Sequence, residues 1–206
     1  MRSTFNLRPI LSVCALSALT IAFTNCDAVD DTNNGEGNYG IFSVINDTTV
    51  SMDGEINSSS LVNFNQLLTD YPAVDSISIR EVNGSSDDEV NLQVSQLVHQ
   101  KNIVTHLTSN GLIASGGVDF FLAGIRRTKG TNTQIGVHSW SDGSNEATDY
   151  PVGDANHQPY IDYYQSVGFT QEDAEAFYYF TINAALASSI HWMTEAEIVE
   201  FELLTR

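Results

Sequence analysis

Ser115 stands in the stretch "NGLIASGGVDFFLAG" (110–124), between Ala114 and the pair Gly116-Gly117 and just ahead of an apolar run. A serine hydroxyl attacks a carbonyl carbon only when one group takes its proton and another holds the oxyanion that forms. A strand-to-helix junction at 115 supplies the second condition, because backbone N–H groups there point at whatever sits over the start of the helix. Glycines at 116 and 117 let a carbonyl approach without meeting a Cβ. The same residues also suit a plain helix-capping serine, so "ASGG" alone leaves both roles open. His138, in "IGVHSW", lies twenty-three residues further on at the end of the next expected strand. In a parallel sheet, consecutive strand ends bring their loops to one edge, where active sites collect. The loop "EVNGSSDD" (81–88) ends the preceding long strand, and its Gly84 and Ser85 amides can complete an anion-binding pocket.

Those residues need a scaffold, and the chain offers one in alternating elements. Strands are expected at 41–46 and 48–56, the second turning at Gly54. A helix over 58–71 begins with capping serines and repeats Leu61, Phe64, Leu67 and Leu68 at helical spacing. A buried strand follows at 74–82. The helix over 87–100 is acidic in its first turn and apolar at Val90, Val94, Leu97 and Val98. Short strands at 102–107 and 112–114 flank a turn at Ser109-Asn110-Gly111, and 133–140 is the next strand. Everything after Pro159 reads as helical, with helices at 159–167, 171–187 and 194–204. Strand, helix, strand order at these lengths predicts an α/β fold with a parallel sheet layered with helices.

The N-terminus has a different character. Arg2 and Arg8 precede an uncharged apolar run from Ile10 to Phe23, the pattern of a bacterial export signal over 1–26. Cys26 follows a loose version of the small-residue pattern at which lipoprotein signals are cut, so lipidation at Cys26 and a membrane anchor are expected. The acidic stretch 27–40, rich in Asn and Gly, reads as a flexible tether, leaving 41–206 as a single domain. The other cysteine, Cys14, lies inside the signal, so the domain relies on its core rather than on disulfides. The expected location is therefore the periplasm or cell envelope.

The net charge of −18 becomes more negative once Arg2 and Arg8 are removed. Nucleic acid and anionic membrane surfaces are poor partners for such a domain. Six fixed positive charges remain, Arg80, Lys101, Arg126, Arg127, Lys129 and Arg206, three of them within 126–129. In the loop 139–160, Asp142, Glu146, Asp149, Asp154 and His157 match no established metal-ligand spacing, and the loop reads as an acidic surface loop or lid with no metal or cofactor. His99 and His106 have no evident partner, and His191 reads as a packing or capping residue. The aromatic series Tyr160, Tyr163, Tyr164, Phe169, Phe177, Tyr178, Tyr179 and Phe180 fits core packing or a subunit interface, with tyrosines lining an acyl pocket as the alternative.

Taken in order, "GEI" (54–56), "VNGSS" (82–86), the 111–124 stretch and "GVHSW" (136–140) resemble the ClpP/crotonase superfamily. Its proteolytic members carry an N-S-P-G-G loop, an A-S-M-G elbow before an apolar helix, and an I-H-Q-P strand end at similar separations. The likeness spans roughly 48–205. It implies Ser115 as nucleophile, His138 as general base, and an oxyanion hole of the Gly116 amide with Gly84 or Ser85. It also implies a peptide or other acyl substrate and a homo-oligomer built through the C-terminal helices. Two departures stand out. "VNGSSDD" lacks the proline and second glycine of the family's loop, and the family's third triad member falls at Ser188, Ser189 and Ile190, where there is no carboxylate. Either a Ser–His dyad operates, or Asp142, Asp149 or Asp154 orients the imidazole. The expectation is an exported serine hydrolase or peptidase. A catalytically inactive binding or assembly protein of the same fold is the alternative, and an acyl-CoA enzyme suits the fold but not the compartment.

Overall fold

The structure is a computed structural model and describes residues 37–205; the expected signal, Cys26 and most of the expected tether lie outside them. The elements follow in the order β1 (Asn38–Tyr39), β2 (Phe42–Asn46), β3 (Thr49–Met52), α1 (Ser60–Asp70), β4 (Ser76–Val82), α2 (Asp88–Gln100), β5 (Val104–Ala114) and α3 (Gly116–Leu122). They continue with β6 (Arg127–Lys129), β7 (Gln134–Val137), α4 (Gln158–Ser166), α5 (Gln171–Ala184), β8 (His191–Trp192) and α6 (Glu195–Glu200). All eight strands form one sheet in the order β1-β2-β3-β4-β5-β7-β8, with β6 also paired to β5.

The centre of the sheet is parallel. Val50 of β3 pairs with Ile77 of β4, Ile77 with Thr105 of β5, and Ile113 of β5 with Ile135 of β7. Each parallel step needs a crossover, and α1, α2 and α3 provide them. The edges are antiparallel, β1–β2–β3 at one side and β7–β8 at the other. The expected parallel sheet layered with helices is thus present, with antiparallel margins. The core lies between sheet and helices, where Phe42, Phe64, Ile77, Ile79, Val94 and Phe120 are fully buried.

Several local expectations are corrected. The turn expected at 109–111 is a bend inside one strand: Asn110 takes a φ of 62°, and both halves of β5 still pair in parallel with β4, across a register shift between Ile79 and Glu81. The bend lets the first half of β5 pair with β6 and the second half with β7. The strand expected over 48–56 ends at Met52, where the chain turns through Gly54 at φ 123°. The C-terminal region is not wholly helical, since β8 interrupts it, and α6 stops at Glu200 short of the expected 204 because Glu202 takes a positive φ. Asn38–Tyr39, within the expected tether, is strand β1, and the Tyr39 hydroxyl donates to Asp70 at 2.8 Å.

Candidate active site

β5 delivers Ser115 to the top of the sheet. Its backbone sits at φ 52°, ψ −129°, a conformation that favours glycine and costs a serine on the order of 1–3 kcal/mol. Two hydrogen bonds hold it there: the Ser115 N–H donates to Gly136 O of β7 (3.0 Å), and Val118 N–H donates to Ser115 O (2.8 Å). Ser115 occupies the N-cap position of α3, yet its hydroxyl makes no capping hydrogen bond. A sharp, strained strand-to-helix turn that leaves a serine hydroxyl uncommitted is the geometry of a nucleophile elbow.

The loop after β4 closes over this turn. A Cβ built on Gly84, which has a φ of 148°, would stand 3.4 Å from Ser115 Cβ and 3.7 Å from its Oγ. A Cβ on Gly116 would come within 2.6 Å of Ser85 Oγ and 2.8 Å of Asn91 Nδ2, so no side chain fits at 116. Gly84, Ser85 and Gly116 are therefore gathered around Ser115. Asn91, buried on α2, donates its side-chain amide to Gly116 O at 3.0 Å and fixes the start of α3 from outside. Sequence reasoning missed Asn91; its signal is a polar residue at a helix position between the apolar Val90 and Val94.

His138, the residue after β7, lines the same cavity as Ser115. Its Nδ1 lies 2.6 Å from Ser139 O. A carbonyl only accepts, so Nδ1 carries the proton and the neutral ring presents Nε2 as the base. No hydrogen bond joins Ser115 Oγ to His138 among the described residues.

The three acids considered as partners for His138 are engaged elsewhere. Asp142 accepts from Tyr150 Oη (2.5 Å) and from the Ser144 and Asn145 amides (2.8 Å each), and these bonds, the tyrosine's foremost, hold its pKa well below the usual carboxylate range. Asp149 accepts from Glu146 N–H (2.9 Å), closing a capping box around residues 147–149. Asp154 accepts from the Asn156 backbone and side chain (3.0 and 2.8 Å). His157 is buried, its Nδ1 2.7 Å from Tyr178 Oη, and Glu146 Oε2 accepts from Ala187 N–H at 3.0 Å. The loop is thus pinned by local bonds, and no group of three possible metal-ligating side chains occurs among the described residues. His191 meets Glu197 at 3.0 Å, His99 meets Ala123 O and His106 meets Thr128 Oγ1.

The cavity holds two carboxylates that sequence reasoning passed over. Asp119, four residues beyond Ser115 and 9% exposed, accepts from Tyr164 Oη at 2.7 Å through Oδ1. Burial pushes its pKa up to about 7; the Tyr164 bond opposes that, and the nearby Asp88 charge adds to it. Asp88, in the first turn of α2, accepts from Tyr160 Oη at 2.8 Å and from Ser85 Oγ. Tyr160, Tyr164 and Tyr178 line the cavity, so the aromatic series serves both the core and a pocket wall. The readable signal was a lone carboxylate inside the apolar run "GGVDFFLAG".

No family model matches the sequence, and no curated protein matches it. Solved structures do. A variant of 1510-N from Pyrococcus horikoshii, a membrane-bound stomatin-specific protease solved with a substrate peptide, superposes with a TM-score of 0.50 at 17% identity, over 76% of this chain and 72% of that one. ClpP1 from Listeria monocytogenes gives 0.49 at 18% identity, over 76% and 88%. Methylmalonyl-CoA decarboxylase gives 0.47 at 10% identity, over 80% and 65%. At such identities the likeness is one of fold, and the elbow, glycine loop and strand-end histidine stand in this chain on their own geometry. The likeness shows that the chain has a ClpP/crotonase-like fold.

Proposed function

We propose that the domain is a serine hydrolase that cleaves a peptide or other acyl bond through an acyl-enzyme at Ser115. The observation that carries this reading is the strained, doubly tethered backbone of Ser115 with its hydroxyl uncommitted, in one cavity with a histidine whose base nitrogen is free. His138 Nε2 takes the hydroxyl proton as Oγ bonds the carbonyl carbon. The oxyanion turns to the Gly116 amide and the Gly84–Ser85 loop. The tetrahedral centre then expels the leaving group, which receives the proton from His138, and water repeats the sequence to free the acid. The Ser139 carbonyl takes over the orienting part of a triad acid without its charge, so slow turnover is expected relative to a full triad.

The wider setting belongs to the same proposal: export, a lipid anchor at Cys26 and a homo-oligomer formed through the C-terminal helices. Sequence features at 1–40 and the aromatic-rich segment 160–180 support it.

One observation favours a second reading, an inactive binding or assembly protein. No carboxylate at 188–190 and none of Asp142, Asp149 and Asp154 bonds the imidazole. Mass spectrometry after incubation with a fluorophosphonate separates the two. The expected result is one adduct on Ser115, absent in Ser115→Ala and formed at least ~100-fold more slowly in His138→Ala. A folded protein that takes no adduct would move the weight to the binding role.

A further inference from the structure

The cavity beside Ser115 is shaped and charged for a particular side chain. Its lining includes Asp88 and Asp119 and contains no lysine or arginine. Of the fixed cations clustered at 126–129, Arg127 donates to Leu203 O (2.8 Å) and Lys129 to Glu195 (2.7 Å). An anionic group entering the cavity would meet the carboxylates of Asp88 and Asp119 with no cation in the lining to offset them. A purely apolar group would cover Asp119 Oδ2, on a carboxylate that is only 9% exposed, and return no hydrogen bond to it. Asp119 receives Tyr164 at Oδ1, while Oδ2 has no donor among the described residues. Desolvated polar groups of this kind are costly to leave unpaired, and a charged donor repays the cost best.

We propose that the site takes acyl substrates whose pocket-filling side chain ends in a primary ammonium, such as lysine, with Asp119 as the recognition carboxylate and Asp88 as its support. This rests on the reading of Ser115 as the nucleophile. An ammonium brings three donors, to be met by Asp119 Oδ2 and by oxygens of Asp88 and the pocket tyrosines. The cavity is about 50 Å³, room for roughly four water-sized groups, which suits a flexible alkyl chain with a compact head better than a broad guanidinium. A strongly acidic chain also steers cations toward it.

Proton and ammonium compete for Asp119, whose acidity is weakened by burial. Binding therefore strengthens as pH rises through about 7, by at most about tenfold per unit below that point. The other titratable groups facing Asp119 are Asp88 from α2, Tyr160, Tyr163 and Tyr164 from α4, Tyr178 from α5, and His138. The tyrosines with shifted acidity are all pushed upward by burial and stay neutral here. His138 is separated from the effect by the Asp119→Asn comparison.

The test uses calorimetric binding of acetyl-Ala-Ala-lysine amide and its norleucine counterpart to the Ser115→Ala protein at pH 6 and 8. The lysine peptide should bind at least tenfold more tightly at pH 8, with a smaller margin at pH 6. Adding Asp119→Asn should abolish the margin, and Asp88→Asn, which serves if the first variant misfolds, should reduce it. The arginine peptide should fall between. Equal binding, a norleucine preference, or no lysine-dependent binding at millimolar peptide overturns the proposal. Because this assay needs no nucleophile, lysine preference without fluorophosphonate labelling sinks the hydrolase reading alone. Labelling without lysine preference sinks the specificity alone.

Discussion

Asp119 lies inside the apolar run Val118–Leu122, so folding takes its carboxyl out of water, and the single Tyr164 hydroxyl returned to it does not restore the lost solvation. Its pKa is near 7 when folded, against about 3.9 in an unfolded chain. Between those values the native state keeps a proton that the unfolded chain has released. Stability is therefore full below about pH 4, falls as pH rises through 7, and carries the whole cost above it. Asparagine is always neutral and close in shape, so Asp119→Asn should stabilise the domain by about 2–4 kcal/mol at pH 8.5 and by nearly nothing at pH 4. Urea unfolding at the two pH values reads this. A loss at both would mean that the asparagine amide clashes with its surroundings, and burial of charge would not be the controlling effect.

At the level of elements, Arg127 closes the C-terminal segment onto the sheet. From β6 its guanidinium donates to Leu203 O at 2.8 Å and to Gly124 O and Glu202 O at 3.2 Å, and it lies 5.7 Å from the Phe169 ring centroid. Burial lowers its pKa, but the carbonyls around it replace water as acceptors. Arg127→Met keeps the aliphatic stem and leaves those carbonyls unpaired, so a loss of about 2–4 kcal/mol is expected. Amide exchange of residues 201–205 should quicken more than that of β4 and β5, and hydrogen-exchange mass spectrometry tests it. Equal acceleration throughout would show that the clasp is not local. These elements also mark what was legible in the sequence. α1, α2, β4 and β7 carry periodic apolar residues, His138 follows β7, and Ser115 and Gly116 stand where β5 passes into α3, so pattern alone reached the edge of the site. β6 and β8 are too short to have a period. Ser109-Asn110-Gly111 reads as a turn between two strands because turn residues in a bent strand look the same in one dimension. Asn91, Asp88 and Asp119 were missed because their roles depend on which helices face each other across the cavity.

For the molecule as a whole, the dominant quantity is a net charge of −18 over 206 residues. Among the described residues the opposite-charge contacts are Arg80 with Asp53, Lys129 with Glu195 and, whenever the imidazole carries a proton, His191 with Glu197; the Arg80 side chain is 72% exposed. An exposed pair such as Arg80 with Asp53 contributes at most about 1 kcal/mol. Repulsion among the remaining carboxylates is spread over the surface and acts at longer range, so salt, with a Debye length of about 10 Å at 0.1 M, screens it efficiently. Raising sodium chloride from about 20 mM to about 300 mM should therefore lift Tm by several degrees, on the order of 2–4 °C per kcal/mol of relieved repulsion for a domain of this size. The same salt should weaken binding of the lysine peptide, since screening that relieves the fold also shields the field that draws a cation to the pocket. Thermal melts and calorimetry across one salt series read the two effects together. If Tm fell with salt, attractive pairs would outweigh repulsion, and the acidic surface would have to be organised by contacts beyond those three. If Tm rose while peptide affinity stayed flat, the surface field would govern stability alone, and recognition would rest on the short-range contacts of Asp119.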